Sequence, residues 1–375
     1  MIGRKAYLVI LALIGAMFGT GFSPAVIAPS DAPFWGATRE YLAGLREPTP
    51  PHVSAAAYIL VNPTTSTIVL AHEEHARRAP ASLTKIMTFM TATSLVATGG
   101  APVDSLGADL QVIKADFYPY TAIGMREDAY FTLEELLYIL LVPSDNAAAV
   151  TIARSLSGTE TAFVAEMNAL AATWSLVDTR FANAHGLDAA GQYSSAFDLA
   201  ILSRAAMDNP LFAEIVAQAQ IDKGGYRLTT TNELLTRYPG AVGIKTGTTD
   251  DAGQCLVGWV ERPAGQALTV VLGSTDRFAD SAALLDYFYA NHVELIIDLP
   301  RSALNRYRDA NGDEHEFTIA EPVTFLVHPW QLGSLRYTRR LWQAPADAGA
   351  DEPLGALEVW MNGKLFTELP LYARR

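Results

Sequence analysis

The order of β-prone and helical segments constrains this chain more than any other feature. Short runs at residues 57–61 and 67–70 flank the turn residues Asn62-Pro63-Thr64 and read as a hairpin. A second set, at 242–246, 254–261 and 267–273, comes far later, with Arg262-Pro263-Ala264-Gly265 joining the last two. Between the two sets lies a long helical insertion. An apolar pattern of helical period follows Pro80 from 83 to 96. Three further helices begin where a hydroxyl residue precedes an acid by three positions, a spacing that satisfies the free amides of a helix start. These are Thr132 with Glu135, running to 141, Ser157 with Glu160, running to about 176, and Ser195 with Asp198. A helix over 280–292 closes the unit. Strands that pair through short turns are antiparallel, so the expected class is α/β (α+β). The expected architecture is an antiparallel sheet with helices on its faces, not a doubly wound parallel sheet.

The flanks differ from this unit. Arg4 and Lys5 precede an apolar run over 6–22, then Pro24 and the small-residue pattern Val26-Ile27-Ala28, the order of a secretory signal peptide. Residues 1–28 are therefore read as a signal peptide, with an uncleaved membrane anchor as the alternative. Either places the remainder outside the cytoplasm, on the periplasmic or cell-wall side. Residues 29–54, rich in Pro and small side chains, read as a linker with one short helix at 37–45. Residues 55–293 form the expected main domain. Residues 294–375 change to short strands and turns, with hairpin signals at Asn311-Gly312 and Asn362-Gly363, and read as a separate small β domain. Leu371 to the C-terminus offers no amphipathic helix as a second anchor.

Composition excludes several functions. A formal charge of -13 argues against a nucleic-acid or anionic-membrane binder. Cys255 is the single cysteine, which excludes an internal disulfide and any cysteine-based metal cluster. No metal or cofactor is expected.

Three short patterns carry chemistry: Ser82-Leu83-Thr84-Lys85, Ser144-Asp145-Asn146 and Lys245-Thr246-Gly247. A serine hydroxyl is a weak nucleophile that needs an adjacent base. Lysine serves as that base once burial or a neighbouring cation lowers its pKa. Residues at i and i+3 share a helix face, so Ser82 and Lys85 are the expected nucleophile and base. The second pattern, expected on a loop after the helix ending near 141, gives Ser144 as a proton relay to a leaving amine. Its Asn146 offers both an amide donor and an acceptor to a peptide. The third, on a strand, supplies the charge of Lys245, the hydroxyls of Thr246 and Thr248, and the closeness that Gly247 permits. Together these suit a substrate ending in a free carboxylate. The backbone N–H groups of Ser82 and Thr248 would form the oxyanion hole. Each pattern alone is common by chance. Of the six lysines, however, two complete these motifs, and no other serine lies three residues before a lysine.

This motif set is that of penicillin-binding proteins and class A β-lactamases. The longer stretches at 79–88, 140–148, 183–188 and 243–249 resemble the signature of low-molecular-mass D-alanyl-D-alanine carboxypeptidases. The similarity covers roughly 55–293. It implies a β-lactamase/transpeptidase-like fold and removal of the terminal D-alanine from peptidoglycan stem peptides through an acyl-enzyme on Ser82. It also implies acylation by β-lactam antibiotics. That family usually carries a C-terminal β domain followed by an amphipathic membrane helix; the first is expected here and the second is not.

Two rivals frame the expectation. A β-lactamase needs fast deacylation, which class A enzymes draw from a glutamate after the Ser-Asp-Asn loop; between Trp174 and Asp188 there is none, only Asp178 and Asp188. A non-catalytic wall-binding module has little use for an amine beside a hydroxyl. Other signals are set aside. His72-Glu73-Glu74-His75 lacks the histidine spacing of zinc helices. Asp309, Asn311 and Asp313 imitate a calcium loop, but Glu314 stands where that loop needs glycine. Cys255 reads as a small buried hydrophobe, and His185 as a turn brace.

Overall fold

Neighbouring residues of a strand point to opposite faces, and in the central strands of this protein both faces are covered. Val257, Val270 and Ile59 are buried on one side of a sheet; Leu256, Val271 and Leu60 are buried on the other. That double burial explains why the runs read as continuous apolar segments without alternation. The computed structural model describes residues 48–102, 105–118, 120–302, 305–308, 312–342 and 352–374. The expected signal segment, the helix at 37–45, most of the linker, and Asp309 and Asn311 lie outside them.

The first hairpin is β1 (Ala57–Asn62) with β2 (Thr67–His72), paired antiparallel as expected. The chain then forms α1 (Thr84–Ala97), the short ladder of β3 (Asp109–Gln111) with β4 (Tyr130–Thr132), and α2 (Leu133–Leu141). Helices α3 (Asn146–Ser157), α4 (Glu160–Thr173), α5 (Ala196–Met207) and α6 (Pro210–Val216) follow. A hairpin of β5 (Gln220–Lys223) and β6 (Tyr226–Thr229) and the single turn α7 (Leu234–Arg237) lead back to the sheet. Its remaining strands are β7 (Ala241–Thr249), β8 (Gly253–Arg262) and β9 (Gly265–Ser274), and α8 (Arg277–Asn291) follows. The sheet order is β2-β1-β9-β8-β7, with every pairing antiparallel. Leu284, Leu285 and Phe288 of α8 pack on one face, and Leu199 and Leu202 of α5 belong to the core on the other.

The Thr132–Glu135 box forms as its spacing requires. The Glu135 N–H donates to Thr132 Oγ1 at 3.1 Å, and the Thr132 N–H donates to Glu135 Oε2 at 2.9 Å. Thr132→Ala is expected to lower stability by about 1 kcal/mol, measured by thermal or urea unfolding. The Ser157–Glu160 box is not what forms. Ser157 is the last residue of α3, Gly158 closes that helix, and Thr159 caps α4 by accepting from the Ala162 N–H.

Beyond α8, β10 (Val293–Ile297), β11 (Arg306–Arg308), β12 (Glu314–Thr318), β13 (Val323–Val327), β14 (Arg336–Leu341), β15 (Gly355–Met361) and β16 (Lys364–Ala373) make a β domain. β10 pairs with β13, and the others form a sheet of order β11-β12-β16-β15-β14. Phe317, Leu357, Val359 and Leu371 are buried between them. Asn362 and Gly363 join β15 to β16 with φ of 54° and 74°, the positive pair that a two-residue hairpin turn requires.

Candidate active site

Pro80 is followed by a 3-10 turn, Ala81–Leu83, which runs directly into α1. Ser82 therefore sits half-exposed at the helix entrance, while Lys85 is fully buried in the first turn. Lys85 Nζ lies 2.9 Å from Ser82 Oγ, 2.6 Å from Asn146 Oδ1 and 2.6 Å from the His185 carbonyl oxygen. Burial pulls the Lys85 pKa down to about 7, against the opposing pull of the Asp145 charge. The geometry then has a direct chemical reading. A neutral amine has two N–H donors and one lone pair. Asn146 and His185 offer only acceptors at those distances, so both donors are used and the lone pair faces the Ser82 hydroxyl.

The Ser144-Asp145-Asn146 pattern is not wholly on a loop. Ser144 occupies the α2–α3 turn in the left-handed region, with φ of 65°. Asp145 is the N-cap of α3, and Asn146 is its first residue. The helix start fixes Asn146 against Lys85, 61 residues away in sequence. Among the described residues, no hydrogen bond joins the Ser144 hydroxyl to Ser82 or Lys85.

Lys245 and Thr246 are buried on β7, and Thr248 is exposed on the same strand. Burial, then the Lys85 and Arg277 charges, pushes the Lys245 pKa well below its ordinary value. Its Nζ donates to the Thr246 carbonyl at 3.2 Å. The Thr246 hydroxyl is 2.5 Å from that of Thr231. Gly247 passes so close to the nucleophile that a Cβ there would stand 2.9 Å from the Ser82 nitrogen. The third motif thus borders the first across the mouth of the sheet.

Three contributors escaped the sequence reading. Arg277, at the start of α8, donates to the Gly247 carbonyl at 2.7 Å and to that of Cys255 at 3.2 Å, bringing a second cation to this strand. The His185 backbone carbonyl holds Lys85, although the motif drew attention to its imidazole. That ring accepts from the Leu187 N–H at Nδ1 (3.1 Å), which bridges the turn and assigns the proton to Nε2. Nε2 lies 2.5 Å from the Tyr118 hydroxyl, which donates to Glu160 at 3.1 Å. Burial, with Lys85 adding to it, lowers the His185 pKa to about 3, so the ring is neutral at physiological pH. Glu160 also accepts from the Ala184 N–H at 2.9 Å, so each of its oxygens takes part in bracing this turn. No spacing rule connects Tyr118, Glu160 and His185.

Cys255 is fully buried and its thiol pKa is raised by burial. His72 and Glu73 are exposed at the end of β2. Among the described residues, no group of three or more His, Cys, Asp or Glu side chains is placed to hold a metal ion.

Comparison with known proteins identifies the family and the fold. The family model for D-alanyl-D-alanine carboxypeptidases, peptidase family S11, matches residues 45–276. The D-alanyl-D-alanine carboxypeptidase DacD of Salmonella typhimurium is 30% identical over 341 residues, covering 86% of each chain. DacF of Bacillus subtilis is 26% identical over 96% of this chain and 92% of its own. Among solved structures, penicillin binding protein 5 from Haemophilus influenzae superposes with a TM-score of 0.70 at 23% identity, covering 88% of this chain and 98% of that one.

Proposed function

The chain belongs to the D-alanyl-D-alanine carboxypeptidase family of serine peptidases, and on that premise we propose how Ser82 and Lys85 act on peptidoglycan stem peptides. Neutral Lys85 takes the Ser82 proton as Oγ attacks the carbonyl carbon of the terminal D-alanyl-D-alanine bond. The N–H groups of Ser82 and Thr248 hold the oxyanion, each such donor being worth about 3 kcal/mol. The Ser144 hydroxyl, which comes within hydrogen-bond reach of Lys85 only when the peptide is bound, then carries the Lys85 proton to the leaving nitrogen, the C–N bond breaks, and D-alanine departs. Water, deprotonated by the same amine, hydrolyses the Ser82 ester and restores the pair. Asn146 orients the peptide. Lys245, the hydroxyls of Thr246 and Thr248, and Arg277 receive the substrate carboxylate. An arriving carboxylate raises the pKa of Lys245, so its charge is strongest when the ligand is bound.

The observation that carries this reading is the fully buried Lys85 amine, with a pKa of about 7, at 2.9 Å from Ser82 Oγ. β-Lactams, which present an acylating carbonyl beside a carboxylate, enter the same site and form an ester on Ser82. Between Trp174 and Asp188 there is no glutamate to add the second general base of class A β-lactamases, so that ester hydrolyses slowly. The leader at 1–28, removed or kept as an anchor, delivers the enzyme to the extracytoplasmic side, where peptidoglycan lies. Residues 55–293 are the catalytic domain and 294–375 the accessory β domain. No helix among the described residues is long and apolar enough to cross a membrane.

The test is to incubate the protein with a stem-pentapeptide mimic and, separately, with a labelled penicillin. D-alanine release and a long-lived adduct are expected, both abolished in Ser82→Ala. Rapid penicillin turnover without D-alanine release would make the protein a β-lactamase. Absence of any adduct would leave a wall-binding module.

A further inference from the structure

Asp145 is fully buried, yet neither of its oxygens is idle. Oδ1 accepts from the Ala148 N–H at 2.9 Å, capping α3. Oδ2 accepts from the Thr121 hydroxyl at 2.7 Å and from the N–H groups of Ala122 and Ile123. The last three donors belong to the β3–β4 loop, so this carboxylate joins that loop to the turn bearing Ser144 and Asn146. The loop is tied elsewhere too. Asp116, also fully buried, accepts from Thr151 and Arg154 of α3, and Tyr118 reaches His185 and Glu160. Two buried carboxylates and one phenol thereby hold an otherwise irregular segment against the catalytic helices.

We propose that Asp145 is a positioning residue with two duties: it clamps the 121–123 stretch to the turn that bears Ser144 and Asn146, and it places a buried negative charge one residue from the side chain that holds Lys85. This rests on the reading of Ser82 and Lys85 as nucleophile and base. The second duty follows from position: Asp145 immediately precedes Asn146, whose Oδ1 lies 2.6 Å from Lys85 Nζ. The His185 ring is neutral, Glu160 is engaged beyond it, and Tyr118 is an uncharged phenol. The other nearby cations are Lys245 and Arg277, and the Lys85 and Arg277 charges act on Lys245, whose own pKa is lowered first by burial. Burial disfavours a protonated Lys85, and Asp145 supplies the opposing charge. Without that charge Lys85 loses its proton at lower pH and becomes a weaker base.

The experiment compares Asp145→Asn, Asp145→Ser and Thr121→Val with the wild type, measuring penicillin acylation and D-alanine release against pH. Serine keeps an N-cap acceptor for Ala148 without the charge, so it serves if the asparagine variant fails to fold; thermal melts establish which variants fold. In both Asp145 variants the acid limb should move down by about one pH unit, the low end for a lost carboxylate neighbour. Their plateau rate should fall several-fold. Thr121→Val should raise KM for the pentapeptide mimic by roughly threefold, the value of one modest hydrogen bond, with its acid limb unmoved. A purely structural Asp145 would not shift the limb, so a limb superimposable on the wild type sinks the charge duty. An unchanged KM in Thr121→Val sinks the clamp. If the wild type neither forms an adduct nor releases D-alanine, the functional reading itself falls, and this inference with it.

Discussion

Lys85→Arg is expected to slow acylation of Ser82 by roughly 10³-fold, within the range that a positioned base contributes. Arginine keeps its proton at every accessible pH, so it offers no lone pair to the serine hydroxyl. Its planar fork also cannot replace a compact amine that meets Ser82, Asn146 and the His185 carbonyl within 2.9 Å. The wild-type pH profile provides the companion measurement. The competent form of Lys85 is neutral and its pKa is lowered to about 7. Acylation should therefore rise tenfold per pH unit below that value and level off above it. In Lys85→Arg the residual rate should lack this limb. Stopped-flow acylation by a chromogenic β-lactam reads both quantities. A variant retaining a tenth of the wild-type rate would show that Lys85 is not the base.

That pair was legible in the sequence because its geometry is local: three residues apart at a helix entrance leaves little freedom. The antiparallel sheet was legible for a similar reason, since short turns at 62–64 and 262–265 force neighbouring strands to pair. What escaped depends on distant contacts or on burial that erases periodicity. Helix α3 is buried at every position from Asn146 to Ala153, so it shows no apolar stripe and its start was read as a loop. The cap of α4 was misplaced by two residues because Ser157 stands three before Glu160 whereas Thr159, which accepts from the Ala162 N–H, has no acid three residues on, and only the break at Gly158 decides between them. The hairpin of β5 and β6 was missed as well; its strands are four residues each and largely exposed, which leaves almost no apolar signal. Arg277 carries no motif, and its position is set by where β9 delivers α8. The His185 carbonyl is a backbone group, invisible to any residue-type rule.

The second large effect is expected from Gly186→Ala, in a motif where the histidine attracts attention and the glycine carries the constraint. Gly186 has φ of 95°, which L side chains rarely adopt, and a Cβ there would stand 2.0 Å from the Ala81 carbonyl oxygen and 3.0 Å from Ser82 Cα. Those atoms are backbone and cannot swing aside. Ala81 itself has φ of 48°, so the turn that presents the nucleophile already sits in an uncommon conformation and resists a further shift. Nor is the 183–188 turn free to retreat. Its Ala184 carbonyl accepts from the Thr88 hydroxyl at 2.5 Å, its Gly186 N–H donates to Asn183 Oδ1 at 2.7 Å, and its His185 carbonyl holds Lys85. Whichever side yields, Ser82 and Lys85 separate or change angle. A displacement near 1 Å in a reacting pair costs about 10²-fold in rate, and backbone strain of this kind costs about 1–3 kcal/mol of stability. Gly186→Ala should therefore lose at least that factor in acylation while melting at a lower temperature. A variant that melts lower yet acylates at the wild-type rate would mean that the two turns move together, and that the Ser82–Lys85 geometry does not depend on their close approach.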